Sequence, residues 1–133
     1  MTRKTENKKV KNATPCEADG ISFKSKLERY TYLLLKGEGI AHLYEPTFLL
    51  QDKFKYNGKH FHPIRFSPDF VGKNWIIECK GFASKDYPLR KKLFLFHLHQ
   101  TGRTPAFYEV RNQQQAREAV ASIKALLGRT IDD

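Results

Sequence analysis

From Phe23 to Leu34 the apolar side chains Phe23, Leu27, Tyr30 and Leu34 recur three and four positions apart, as on one helical face, and Gly37 and Gly39 supply a stop. A first helix is expected there. The stretch IAHLYEPTFLL, residues 40–50, is rich in strand formers, with Pro46 marking an edge or a bend. In KYNGKHFHPIRF, Asn57-Gly58 separates two runs with aromatic and apolar residues, and since both turn residues tolerate positive φ the pair predicts a β-hairpin. That hairpin is expected to continue into the segment holding Asp69. Residues 74–80 read as a strand and 81–86 as a loop. A second helix is expected from Asp86-Tyr87-Pro88, with Asp86 as cap, Pro88 in the first turn and Leu89, Leu93 and Phe96 as its core stripe. PAFYEV, residues 105–110, is a strand candidate. Residues 112–127 form a closing helix with Ala116, Val120, Ile123 and Leu127 inward, and Asn112 with Gln115 has the spacing of a capping box.

At 133 residues the chain fits one domain with its own hydrophobic core. Residues 1–19 are polar and basic, so a flexible tail is expected ahead of a single domain over residues 20–133. The tail reads equally as an arm that touches phosphates and as a solubilising leader. With 24 Lys and Arg against 14 Asp and Glu, the net charge is +10, which suits a polyanionic partner and puts nucleic acid first. No long apolar run or signal-peptide pattern is present, so a membrane is not expected as partner and the location is expected to be cytoplasmic. Cys16 and Cys79 are too few for a stapled secreted scaffold, and Cys79 is expected to pack as a small buried hydrophobe.

The chemistry concentrates in SPDFVGKNWIIECKG, residues 67–81. Side chains alternate along a strand, so Glu78 and Lys80 share one face while Trp75, Ile77 and Cys79 share the other. The short connection from Gly72 to Asn74 folds Asp69 back beside Glu78. Two acids and a lysine thereby converge. Hard cations such as Mg2+ take oxygen ligands from one or two carboxylates plus water and substrate phosphate, and a lysine alongside orients a water or offsets charge growing on phosphorus.

Pro68-Asp69 followed by Glu78-Cys79-Lys80 resembles the motif of the PD-(D/E)XK nuclease superfamily, and Glu28 in FKSKLERYTYLLL matches the acid that many members carry on an opening helix. The resemblance implies a restriction-endonuclease-like αβββαβ core, α/β in class, with a mixed central sheet flanked by helices. It implies an endonuclease that hydrolyses DNA phosphodiesters with Mg2+, for which Mn2+ substitutes. Asp69, Glu78 and Lys80 would be catalytic with Glu28 in support, and Asp69, Glu78, the Cys79 backbone carbonyl and Glu28 would be the metal ligands. Over most of residues 20–110 the chain also looks similar to small prophage-encoded members; it is also similar to Holliday junction resolvase-like nucleases, and since such small members often act as dimers, a homodimer is a hypothesis here. Branched, nicked and sequence-specific substrates all stay open. The alternative is a non-catalytic nucleic-acid-binding or regulatory protein on the same fold.

Lys85, Arg90, Lys91 and Lys92 follow the motif closely and are read as a phosphate path into it, against the blander reading of a solvated helix face. Glu28 has its own bland alternative, a surface pair with Lys24 one turn back. His60-x-His62 and His97-x-His99 invite a zinc reading; His60 and His62 could share a strand face, but His97 and His99 on a helix diverge by about 200°, and a surface role is expected for all four, with DNA contact by His60 or His62 from the hairpin as the alternative. No phosphate-binding glycine loop, dinucleotide fingerprint or nucleophile elbow is present, so no nucleotide cofactor is expected.

Overall fold

The computed structural model of the protein describes residues 14–81 and 84–132. Residues 1–13, the greater part of the expected tail, lie outside them. The described chain opens with a hairpin of β1 (Cys16–Ala18) and β2 (Ile21–Phe23), turned at Asp19-Gly20, both with positive φ. Ordered structure therefore starts inside the span assigned to the tail, and Phe23, assigned to the helix, ends a strand instead.

Helix α1 (Lys26–Gly37) starts at Ser25, whose hydroxyl accepts the Glu28 amide at 3.1 Å, and this satisfies one of the free donors of the first turn. Its most buried side chains are Glu28, Thr31 and Leu35, while Leu27, Tyr30 and Leu34 are only partly covered. The inward stripe is thus rotated from the expected one. Glu28 lies within the stripe rather than beside it.

The central sheet has four strands in the order β10-β9-β8-β3. β3 (Leu43–Tyr44) runs antiparallel to β8 (Phe70–Gly72), and β8 antiparallel to β9 (Trp75–Cys79) across the two-residue turn Lys73-Asn74. β10 (Ala106–Val110) runs parallel to β9 and is reached through helix α2 (Tyr87–Gln100). Helix α3 (Gln113–Asp132) closes the chain. Asn112 accepts the Gln115 amide at 2.8 Å as the capping box predicts, although the Gln115 side chain accepts the amide of Arg111 rather than that of Asn112.

This mixed sheet is buried on both faces. Phe70, Trp75, Ile77 and Cys79 pack with Leu35 of α1 and Ala116, Val120 and Ile123 of α3; Val71 and Ile76 pack on the other side with Phe66 and with Tyr87, Phe94 and Leu98 of α2. Trp75 is wholly enclosed, and a Cβ on its cross-strand partner Gly72 would lie 2.1 Å from its ring, so only glycine fits opposite it.

Three local expectations fail. Leu89, Leu93 and Phe96 face solvent, at 61, 37 and 55% exposure, because apolar residues surround the α2 axis and the opposite stripe of Tyr87, Phe94 and Leu98 meets the sheet. Asp86 stands at the N-cap of α2 but makes no capping bond; its carboxylate accepts the Ser84 hydroxyl instead. Asn57-Gly58 does turn a hairpin, β5 (Phe54–Tyr56) with β6 (Lys59–Phe61), but that hairpin is a separate two-stranded sheet. It does not run on into the Asp69 strand. It is inserted between β4 (Phe48–Gln51) and β7 (Ile64–Phe66), which pair with each other and rest on α2.

Candidate metal centre

The register of the sheet brings acids together. Tyr44 pairs with Phe70 and Phe70 with Ile77, so the next position brings together Glu45, just after β3, Asp69, just before β8, and Glu78 of β9, and the parallel register sets Glu109 opposite Glu78. The backbone enforces this row. Glu45 donates its amide to the Asp69 carbonyl at 2.8 Å, Asp69 donates its own amide to Glu78 Oε1 at 3.0 Å, and the Cys79 amide donates to Asp69 Oδ2 at 2.7 Å. Each acid is oriented by a neighbour's main chain.

Glu28 enters from α1, held by the Tyr44 hydroxyl, which donates to its Oε1 at 2.5 Å. One carboxylate oxygen each from Glu28, Glu45 and Asp69 lies within 4.8 Å of the other two. Asp69, Glu78 and Glu28 are almost entirely buried, at 3, 5 and 5% exposure. Burial and the neighbouring charges of Glu78 and Glu28 push the Asp69 carboxyl up to about 8, and burial also raises that of Glu78, against the pull of Lys80. Three oxygens of hard-ligand type, two from buried carboxylates and one from the half-buried Glu45, fit a hard divalent cation. Glu78 adjoins them through its bond to Asp69.

Two lysines flank the acids. Lys80 Nζ is 3.2 Å from Glu78 Oε2 and 3.9 Å from the centroid of the Tyr87 ring, which fixes the ammonium beside the carboxylate. Lys24 Nζ lies 2.6 Å from Glu45 and 3.7 Å from Asp69. Burial depresses its basicity, but the Glu45 hydrogen bond and the charges of Asp69 and Glu28 outweigh this and raise it. The pairing of Lys24 with Glu28 considered from sequence gives way to these two partners, because Lys24 precedes the Ser25 cap and is not on the helix.

Asp69, Glu78, Lys80 and Glu28, singled out from sequence, are therefore neighbours. Glu45, Lys24 and Tyr44 join them without having been singled out. For Glu45 the only signal was its place before Pro46 at the end of a strand; its φ of 56°, rare for a side-chain-bearing residue, turns the chain at the edge of the site. Cys79 faces the core, 3.6 Å from the Thr31 hydroxyl, and burial raises its thiol well above the ordinary range.

The basic cluster divides. Lys85 and Lys92 are exposed, whereas Arg90 donates to the carbonyl of Arg65. Lys91 pairs with Glu109 at 2.7 Å and covers the Phe107 ring, so it neutralises a carboxylate rather than standing free for phosphate. Glu109 also accepts the Tyr87 hydroxyl at 2.7 Å and pairs with Arg111 at 3.2 Å. Burial works upward on Glu109, but Lys91, Tyr87 and Arg111 bring its carboxyl below the usual range. Of the four acids in the row, Glu109 is thus fully compensated by its neighbours. His60, His62 and His99 are exposed and His97 half-buried, and among the described residues none joins a group arranged to hold a metal.

These features define a mixed α/β protein whose sheet carries a buried acidic centre. The chain belongs to the family described as protein of unknown function DUF1064, whose model matches residues 7–119. No curated protein and no solved structure matches it. No helix among the described residues is long and apolar enough to cross a membrane.

Proposed function

We propose that the protein is a divalent-metal-dependent endonuclease that hydrolyses DNA phosphodiesters, built on a restriction-endonuclease-like core of the PD-(D/E)XK kind. One observation carries the reading: Asp69, Glu78 and Lys80 meet at hydrogen-bonding distances on the strand-end rung where Glu28 and Glu45 also arrive. The succession α1, β3, β8, β9, α2, β10 supports the core, with β4 to β7 as an insertion.

Glu28, Glu45, Asp69 and Glu78 are the residues that would hold the ion. A bound Mg2+ supplies Lewis acidity toward a phosphoryl oxygen and acidifies a water. Lys80, held between Glu78 and Tyr87, directs its ammonium to the attacking water and to the charge that develops on phosphorus. Water attacks phosphorus, the bond to one ester oxygen breaks, and that oxygen leaves with a proton. Tyr44 and the amides of Asp69 and Cys79 keep the acids from rearranging during this. Two free cysteines support a reducing, cytoplasmic setting. Cleavage of both strands of a duplex takes two centres, so the reading extends to a homodimer on DNA.

The test is a cleavage panel of plasmid, linear duplex, single-stranded and four-way-junction DNA in Mg2+ or Mn2+, with Asp69→Asn and Lys80→Ala as controls. Metal-dependent products that vanish in both variants are expected. Tight DNA binding without cleavage on every substrate, unchanged by the substitutions, would instead establish a non-catalytic DNA-binding protein.

A further inference from the structure

The β5–β6 hairpin presents an arrangement that the acidic centre does not use. Every residue from 51 to 62 is exposed. In the register Phe54↔Phe61, Lys55↔His60 and Tyr56↔Lys59, alternate rungs point to opposite faces, so Phe54, Phe61, Tyr56 and Lys59 share one side while Lys55 and His60 share the other. The aromatic face thus carries a lysine of its own, Lys59, whose Nζ lies 5.7 Å from the centroid of the Phe61 ring. Phe54 and Phe61 stack with their rings 9° from parallel and centroids 4.9 Å apart, while Tyr56 stands 66% exposed beside them.

A two-stranded hairpin with no covering layer gains little from folding in water, and three large aromatics on its open side form a continuous apolar patch rather than scattered exposure. The charge of the segment selects the occupant. Between residues 51 and 62 there are Lys53, Lys55 and Lys59 against the single acid Asp52, in a chain whose net charge is +10. Aromatic rings interleaved with lysines match a strand of unpaired nucleotides, in which bases stack on rings while ammonium groups follow the phosphates. An apolar protein surface would leave these lysines unpaired, and a paired duplex hides the base faces that the rings would meet.

We propose that the β5–β6 hairpin is a binding wing for single-stranded nucleic acid, with Tyr56 and the Phe54–Phe61 pair as stacking platform and Lys59, on the same face, as phosphate contact. This rests on the nuclease reading for the nature of the partner. It adds that the protein engages unpaired segments through an element separate from its acids. The hairpin hangs from the β4–β7 pair, and β7 leads through Ser67-Pro68 directly to Asp69, so one continuous stretch of chain carries both the wing and the site.

The test is fluorescence anisotropy of the full chain in EDTA, with a labelled oligothymidylate and a labelled duplex of equal length as probes. Wild-type protein is expected to prefer the single strand. Tyr56→Ser is expected to weaken single-strand binding about tenfold and leave duplex binding nearly unchanged. Lys59→Gln is expected to lower the salt dependence of single-strand binding by about 0.7 in slope, the value of one phosphate contact, and Lys55→Gln, on the opposite face, to lower it less. Leu33→Ser, an exposed apolar position on α1, serves as control, and circular dichroism checks that all variants fold. Single-strand binding unaltered in Tyr56→Ser and in Lys59→Gln would overturn the proposal, as would equal losses on both probes. Because binding is read without metal, hairpin-dependent binding with no cleavage in Mg2+ would sink the nuclease reading alone, and cleavage with hairpin-independent binding would sink the wing alone.

Discussion

Asp69 and Glu78 face each other across the β8–β9 turn and are tied by main-chain bonds, the Asp69 amide reaching Glu78 at 3.0 Å and the amide after Glu78 returning to Asp69 at 2.7 Å. Two carboxylates that would repel in the absence of a cation are kept together by amide donors and by the sheet itself. The fold therefore gives up stability to hold two like-charged groups together out of water, a pattern found where a site is built for a ligand.

The first prediction concerns pH. The Asp69 carboxyl sits near 8 when folded, against an ordinary value of 3.8, so the folded protein retains a proton that the unfolded chain has lost. The stability this group contributes is complete below about 4 and is lost as pH rises through about 8. Thermal melts of Asp69→Asn in chelator are expected to lie above wild type at pH 8–9 and to converge with it near pH 4. Identical pH profiles would show that Asp69 is not strained. In the same way, divalent-ion affinity of the wild type, followed by calorimetry, is expected to rise between pH 6 and 8 with release of protons.

Lys24 gives a second prediction. Its ammonium neutralises Glu45 and Asp69 from a largely exposed position, 61% by side-chain area, so it competes with a cation for the same oxygens. Lys24→Gln is expected to tighten Mg2+ binding by roughly 3- to 10-fold, a single charge at partly solvated distance, and to lower the melting temperature in chelator. Weaker Mg2+ binding in the variant would show that Lys24 supports the ion rather than replacing it.

Gly72→Ala tests the seat of Trp75. The added methyl would meet the indole at 2.1 Å inside a closed core, so a loss of about 1–3 kcal/mol is expected by denaturant titration. The loss should reach the site as well, since the same two strands carry Asp69 and Glu78. A variant of wild-type stability would mean that Trp75 has room to move.

A fourth prediction separates the two stripes of α2. Phe94 is fully buried between Phe48 and Phe66, so Phe94→Ala is expected to cost about 3–5 kcal/mol, whereas Leu89→Ser, on the exposed side, is expected to stay within about 0.5 kcal/mol. The reverse order in a denaturant series would restore the Leu89, Leu93 and Phe96 stripe.

The difference between those stripes shows where sequence reasoning stops. Both have helical spacing, and the chain alone does not say which will meet a sheet when apolar residues encircle the axis. Phe94 wins because β4 and β7 return beneath α2 with Phe48 and Phe66. The shift of α1 has a similar origin: Ser25 sets the start of the helix, and the sheet then selects Glu28, Thr31 and Leu35 as the covered face.

What the sequence determined by itself rested on contacts close along the chain: the Asn57-Gly58 turn, a short connection over Gly72 to Asn74, the three helices, and the proximity of Asp69, Glu78 and Lys80 that follows from that connection and strand alternation. Only the tertiary structure decided which distant residues complete the centre. Glu45 arrives because β3 pairs with β8, Lys24 because the β1–β2 hairpin hands the chain to α1 beside that edge, and Lys91 is drawn off to Glu109 because β10 lies parallel to β9. Strand pairing between segments far apart depends on the whole core closing, and no local pattern of residues encodes which strand end will meet which.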